Sequence, residues 1–181
     1  MRIVYQYSHL GGQEILQVRY PAIHREIDEV ISKVGANRSK ESKEKTKVGR
    51  LLYSPADMNA QFQTHFSELG YDEVRDTYAI RVPGSDVVIP GAYKQVDFVK
   101  DRVFVEVQFG KYFAMFYDMA KFQYFFNENR ADVGVEIVAC HDLHAQMSSG
   151  VAYGEQLVYD IERLKRHFPA VPVWVILVDV D

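Results

Sequence analysis

The sequence has few of the residues that build cross-linked or membrane-embedded proteins. Its 181 residues include a single cysteine, Cys140, and six prolines. One cysteine excludes an intramolecular disulfide and any multi-cysteine zinc site. No apolar run approaches the roughly 20 residues needed to cross a bilayer, and Gln6 and His9 stand where a signal peptide would need an apolar core. We therefore expect a soluble, cytoplasmic protein with no membrane association.

The composition indicates a folded chain, because 48% of the residues are hydrophobic and 13% are aromatic. The length fits one domain, predicted to span residues 1–181, with a core of its own. Residue patterns predict strands over 2–7, 71–82, 94–99, 102–109, 133–139 and 171–178, and helices over 21–34, 55–69, 112–127 and 155–167, with a short helical piece near Leu143. Mixed elements of this kind predict an α/β fold with a central mixed β-sheet flanked by helices.

The net charge of −4 argues at first against a nucleic-acid partner, but the charge is unevenly distributed. Residues 38–50 carry a formal charge of +4, which leaves −8 for the rest of the chain. We predict that this basic segment is a loop running into a helix. Two interpretations stay open: a face that binds an anionic ligand, and a solvated linker or helix surface.

Residues 95–111 hold the most informative pattern. Side chains alternate along a strand, so Glu106 and Gln108 point the same way. Asp97, on the preceding strand of a hairpin, can lie opposite them. We expect these three side chains to converge at a sheet edge beside the carbonyl of Val107. Such oxygen donors suit Mg²⁺, although the bare spacing also arises by chance on solvated strands.

The sequence around this pattern, DFVKDRVFVEVQFGKY over residues 97–112, resembles the active-site segment of a known enzyme family. The family is the BglII/BstYI-like group of type II restriction endonucleases, the ExQ variant of the PD-(D/E)xK nuclease superfamily, and the likeness is greatest to its BstYI branch. Further similar segments follow in the family's order at residues 4–10, 39–47, 52–55, 132–137, 147–150 and 169–173.

The resemblance implies a restriction-endonuclease-like fold and a role for each residue of the pattern. Asp97 and Glu106 match the metal-binding carboxylates, and the carbonyl of Val107 is a further ligand for Mg²⁺. Gln108 stands where most of the superfamily has a catalytic lysine. A neutral amide cannot act as a cation or as a base at pH 7, but it can orient the attacking water. Asp97, Glu106 and Gln108 are therefore the expected catalytic residues.

The resemblance also implies residues that contact DNA. Lys111 matches a lysine that reads bases in the major groove; the alternative is a phosphate contact or a surface lysine. Ser149, with Ser148 beside it, matches a base-reading serine, and the alternative is a turn cap. The expected phosphate contacts are Lys40, Lys43, Lys45 and Lys47. The relatives also have an upstream polar active-site residue, for which Glu41 and Glu44 are weak candidates.

The function that the resemblance implies is Mg²⁺-dependent hydrolysis of double-stranded DNA at a short palindrome by a homodimer, without a nucleotide cofactor. The expected site is centred on GATC, as in RGATCY, and is cut to leave 5′ overhangs with 5′-phosphates. Aromatic helix 112–127 is expected to be mostly core, with part of its surface facing the second subunit. Two alternatives are a structure-selective or repair nuclease of the same superfamily and an inactive DNA-binding protein.

The remaining polar residues look structural. The six histidines are scattered along the chain, so we expect a surface location rather than a metal site. Cys140 follows an apolar strand and is expected to be a small buried side chain. Asp101 is expected in a turn between two strands.

Overall fold

The computed structural model describes residues 1–45 and 47–180, so Thr46 and Asp181, which belong to the predicted span, lie outside the described residues. The strands are β1 (Arg2–His9), β2 (Arg38–Glu41), β3 (Leu51–Tyr53), β4 (Asp72–Arg81), β5 (Val88–Lys100), β6 (Val103–Gln108), β7 (Val133–Ala139) and β8 (Val173–Asp179). The helices are α1 (Gly12–Arg19), α2 (Pro21–Lys33), α3 (Pro55–Glu68), α4 (Tyr112–Asn127), α5 (His141–Ala145) and α6 (Gly154–Leu164).

A mixed six-stranded sheet in the order β1-β8-β7-β6-β5-β4 forms the centre of the fold. β6, β7 and β8 are parallel to one another, and the other neighbouring pairs are antiparallel. The parallel strands are almost entirely buried, as expected for a sheet that is covered by helices on both faces. The predicted α/β fold with a central mixed sheet is therefore confirmed.

Aromatic contacts show which helix covers which face of the sheet. The ring of Phe66 on α3 lies 4.7 Å from the ring of Phe98 on β5. On the opposite face, the ring of Phe125 on α4 lies 4.9 Å from the ring of Phe104 on β6. Because side chains alternate along β6, Glu106 shares the face of Phe104 and lies beneath α4, where it is buried.

Helix α4 matches the predicted range 112–127, and it begins three residues after Phe109, close to the end of β6. Its Met115, Met119, Phe122 and Phe125 are fully buried, which confirms a mainly core role. Phe113 and Tyr117 remain exposed by 69% and 50%, so part of the aromatic surface is open. No helix within residues 1–45 and 47–180 is both long and apolar enough to cross a membrane.

Several sequence-based expectations were wrong in detail. The basic segment contains strand β2 and turns rather than the start of a helix. Helix α1 was missed, because it has eight residues and buries only Gly12 and Leu16, which is too short a pattern to detect. β5 starts at Val88 and runs through Pro90, because this part of the strand pairs only with β4 and leaves its other edge open.

The predictions for Cys140 and Asp101 are confirmed, whereas the prediction for His9 was wrong. Cys140 is buried, and Asp101 lies in the turn between β5 and β6 with a φ of 53°. His9 is buried instead of exposed, and its Nε2 lies 2.7 Å from the carbonyl oxygen of Pro169. That hydrogen bond compensates for burying the ring, so His9 is a structural residue.

Candidate active site

Three carboxylates lie in one row across the middle of the sheet. The register pairs Phe98 of β5 with Val105 of β6, so the next residues, Asp97 and Glu106, come to neighbouring positions. The parallel register then pairs Glu106 with Glu136 of β7. Strand alternation directs all three toward the face that α4 covers, and the Asp97 and Glu106 carboxyl groups are within hydrogen-bonding reach of each other.

Helix α4 adds an ion pair to this row. Lys121 Nζ donates to Glu106 Oε1 and lies 2.8 Å from Asp118 Oδ1. The other oxygen of Asp118, Oδ2, accepts a hydrogen bond of 3.1 Å from Gln108 Nε2. A continuous polar chain therefore runs from the Gln108 amide through Asp118 and Lys121 to Glu106. We call Asp97, Glu106, Asp118, Lys121 and Glu136 the acid cluster.

Burial dominates the electrostatics of the acid cluster. It raises the pKa of Asp97 and, together with the charge of Asp118, raises the pKa of Glu106 well above its ordinary value. Burial raises the pKa of Glu136 in the same way. Burial by itself would lower the pKa of Lys121, but the carboxylates of Glu106 and Asp118 outweigh it and raise that pKa. The cluster has more carboxyl groups than cations and can accept further positive charge.

The chemistry of the donors fits a divalent ion held by few protein ligands. Within the described part of the chain, no group of three or more His, Cys, Asp or Glu side chains is arranged to bind a metal ion. Mg²⁺ usually keeps several waters and needs only one or two carboxylates, which Asp97 and Glu106 supply. Lys121 now bonds one oxygen of Glu106, so an ion would share this carboxylate with the ammonium group. The role of the Val107 carbonyl stays a prediction.

The structure brings together the three predicted catalytic side chains, but the predicted sheet-edge location was wrong. β6 is an interior strand, because β5 and β4 extend the sheet beyond it. The pairing of β5 with β6 stops at Phe98 and Val105. The predicted catalytic side chains lie just beyond this last pair: Asp97, Glu106 and Gln108. Gln108 is half-buried there, whereas Glu106 is 2% exposed.

The predicted base-reading residues lie at the same end of the sheet as Gln108. Lys111 is exposed at the N-cap of α4, three residues beyond Gln108. The carbonyl oxygen of Gly110 accepts a hydrogen bond of 2.7 Å from the amide of Ala152. This bond ties loop 148–152, which includes the two predicted serines, to the exit of β6.

The basic segment packs against the serine loop through Glu44 and Lys47. The amide of Ser149 donates to Glu44 Oε1 at 2.9 Å. Lys47 Nζ donates to the carbonyl oxygens of Ala145 and Met147 at 3.1 and 2.8 Å. Lys47 is therefore occupied by its own chain, while the other three predicted phosphate contacts, Lys40, Lys43 and Lys45, are exposed. Glu44, proposed as the upstream polar residue, contacts the serine loop instead of the acid cluster.

Sequence reasoning missed Asp118, Lys121 and Glu136. The signal was present, since Asp118 and Lys121 are the two charged residues of a helix that is otherwise mostly aromatic and apolar. Their spacing of three residues places them on one helical face. Glu136 likewise interrupts the apolar run of β7. A charge inside an apolar run marks a buried polar group that must have a partner or a function.

Two solved structures resemble the whole chain. A structure of restriction endonuclease BglII in complex with a DNA 16-mer superposes with a TM-score of 0.76 and 22% sequence identity, covering 100% of this chain and 79% of that one. A structure of free BglII gives a TM-score of 0.69 and 19% identity, covering 100% of this chain and 81% of that one. The fold is therefore that of a restriction endonuclease. A comparison with curated protein sequences gives no significant match.

The sequence itself matches the family model described as restriction endonuclease BglII/BglIII over residues 4–178. The chain belongs to this BglII/BglIII restriction endonuclease family, which makes it a type II restriction endonuclease and a DNA hydrolase. The predicted family resemblance and the predicted enzyme class are thus confirmed. The closer likeness to BstYI stays a prediction.

Proposed function

We propose that this protein is a Mg²⁺-dependent endonuclease that acts as a homodimer on a short palindrome in double-stranded DNA. The observation that carries the proposal is the pairing of Asp97 with Glu106 next to Gln108, on adjacent strands of a restriction-endonuclease fold. The metal is the part that the chain's own chemistry favours most strongly, because half-buried Asp97 and buried Glu106 share only the counter-charge of Lys121 with Asp118.

In the proposed mechanism, Asp97 and Glu106 would hold a divalent ion. When bound there, the ion would neutralise charge on the scissile phosphate and lower the pKa of an attacking water. Gln108 orients that water, because its amide can donate and accept hydrogen bonds but cannot remove a proton at neutral pH. Since the strand has no lysine at position 108, we expect a strict requirement for the metal.

DNA recognition is assigned to the surface beside this site. Lys111 and Ser149, with Ser148, are the proposed base-reading residues, and Lys40, Lys43 and Lys45 are proposed phosphate contacts. The structure of BglII in complex with a DNA 16-mer supports double-stranded DNA as the ligand. We further propose a GATC-centred site, such as RGATCY, cut to leave 5′ overhangs with 5′-phosphates, on the basis of the BstYI-like pattern.

The homodimer follows from the palindrome, since each subunit of a two-fold dimer can read one half-site and cut one strand. Phe113 and Tyr117 support an interface on α4, because both are exposed aromatic side chains on the helix that follows the catalytic strand. The protein is proposed to act in the cytoplasm, where a restriction enzyme meets incoming DNA.

The direct test incubates the protein with plasmid DNA of known sequence in Mg²⁺, in Ca²⁺ and in excess EDTA. We expect discrete fragments in Mg²⁺ only, and sequencing of the fragment ends gives the site and the overhang. Random degradation would favour the repair-nuclease alternative, and intact DNA would favour the inactive binding protein. Asp97→Asn should abolish cleavage and retain DNA binding, whereas a cutting Asp97→Asn enzyme would refute the assigned metal site.

A further inference from the structure

The structure brings an acidic residue of α4 against the amide that stands in place of the usual catalytic lysine. Gln108 Nε2 donates to Asp118 Oδ2 at 3.1 Å, and Asp118 is 2% exposed. Asp118 Oδ1 is held by Lys121 Nζ at 2.8 Å. A carboxylate paired with an ammonium group offers only acceptor oxygens.

This contact resolves an ambiguity that glutamine side chains normally have. The oxygen and nitrogen of an amide are interchangeable in shape, so hydrogen-bond partners decide which way the group points. An acceptor at Asp118 requires the NH₂ of Gln108 on that side and therefore turns Gln108 Oε1 away from it. Among residues 1–45 and 47–180, no donor bonds this oxygen.

We propose that Asp118 is a positioning residue for the cleavage reaction: it fixes the Gln108 amide with its carbonyl oxygen presented to the attacking water. The inference rests on the proposed role of Gln108. A carbonyl oxygen can accept a hydrogen bond from an O–H of the attacking water and so aim the water's lone pair at the phosphorus. Lys121 contributes by holding Asp118 in place. Helix α4 therefore orients the Gln108 amide, an orientation that a lysine at position 108 would not require.

Gly110 provides an independent way to disturb the same amide. A Cβ built on Gly110 would lie 2.4 Å from Gln108 Oε1 and 3.5 Å from its Cδ, with no other heavy atom within 4 Å beyond its immediate neighbours in the chain. Its backbone does not adopt a positive φ, so an alanine adds no backbone strain there, and the one group that must move is the end of the flexible Gln108 side chain. Gly110→Ala should therefore displace the Gln108 carboxamide at little cost to folding.

The test measures single-turnover cleavage of a duplex that carries the mapped site, and DNA affinity in Ca²⁺ by fluorescence anisotropy. Asp118→Asn replaces a pure acceptor with a group that can also donate, so the Gln108 amide can turn over. We expect Asp118→Asn, Gln108→Leu and Gly110→Ala each to slow the cleavage step by roughly 100-fold. DNA affinity should stay within about 2-fold of the wild type, because none of these changes removes a proposed DNA contact.

A double-mutant cycle separates positioning from general support of the site. If Asp118 acts through Gln108, the double variant Asp118→Asn/Gln108→Leu should be no more than about 3-fold slower than the slower single variant. Multiplying effects, on the order of 10⁴-fold, would overturn the proposal by showing that Asp118 acts through Lys121 and Glu106 instead. Wild-type cleavage by a folded Gly110→Ala protein would overturn it as well.

Two controls keep the outcomes distinct. Gly35→Ala is the matched glycine variant, because its Cβ would meet only Gln61 Oε1 at an ordinary 3.7 Å; it should cleave like the wild type. Asp97→Asn reports on the proposed function alone. If Asp97→Asn cleaves, the assigned metal site fails, whereas an inactive Asp97→Asn protein with an unaffected Asp118→Asn variant overturns only the positioning role.

Discussion

Glu106 and Glu136 occupy directly paired positions on the parallel strands β6 and β7, yet within residues 1–45 and 47–180 only Glu106 has a hydrogen-bond partner for its carboxyl group. Lys121 bonds Glu106, while both carboxyl oxygens of Glu136 are buried without a hydrogen bond from the described residues. Both residues lie beneath α4 on one face of the sheet. The site therefore contains a fully buried acid whose burial is not compensated.

The first prediction is that Glu136→Met stabilises the protein and changes its pH dependence. The raised pKa means that folded Glu136 keeps its proton at pH values where the unfolded chain, with an ordinary value near 4.5, has lost it. The folded state therefore binds more protons, and its contribution to the free energy of unfolding falls as pH rises above about 4.5. Methionine removes this penalty, a gain of about 1–3 kcal/mol at pH 8.

Urea unfolding at pH 5 and pH 8 measures this effect. The gain from Glu136→Met should be larger at pH 8, and Glu128→Met, at an exposed position of the same charge, is the control. Equal gains at both pH values would show that Glu136 has no raised pKa in the folded protein.

The second prediction concerns Lys121, the cation of the acid cluster. Its side chain is 11% exposed and pairs with Glu106 and Asp118. Lys121→Met leaves two buried carboxylates without their counter-charge, which should cost about 3–5 kcal/mol of unfolding free energy. Urea denaturation compares it with Lys45→Met, an exposed lysine that should change stability by no more than about 0.5 kcal/mol. Similar unfolding midpoints for the two variants would contradict the pairing.

The third prediction separates base reading from catalysis at Lys111. This side chain is exposed at the start of α4 and is not part of the acid cluster. Lys111→Ala should reduce the discrimination between the cognate base and the wrong bases at one base pair by about 1–3 kcal/mol. Cleavage of the cognate site should become slower, and the preference at that base pair should relax. Sequencing cut ends from a randomised DNA library measures this change. An unchanged site preference with uniformly weaker binding would make Lys111 a phosphate contact.

The fourth prediction assigns different roles to lysines within one basic segment. Lys40, Lys43 and Lys45 are exposed, so replacing each with alanine should reduce the slope of log affinity against log salt by about 0.9 per lost phosphate contact. Lys47→Ala should leave that slope nearly unchanged, because its ammonium group already bonds Ala145 and Met147. DNA-binding titrations at several salt concentrations distinguish the two groups, and equal slopes for all four variants would contradict the assignment.

Local patterns predicted much of the fold because they describe short-range physics. Helix α2 was predicted from Pro21 and the regular spacing of its apolar residues, and the structure ends it at Lys33. β7 and β8 were predicted from apolar runs. Helix α1 and strand β2 were not, since α1 has eight residues and β2 has four, and neither is long enough to show a period.

For the candidate site, the sequence alone predicted that Asp97, Glu106 and Gln108 share one face, because two adjacent strands with a short turn force their side chains onto it. It could not identify the partners of these residues. Asp118 and Lys121 reach the site only because α4 packs across β6, and Glu136 only because β7 pairs in one register out of several. Strand alternation is a property of neighbouring residues, whereas helix packing and register depend on the burial of the whole core.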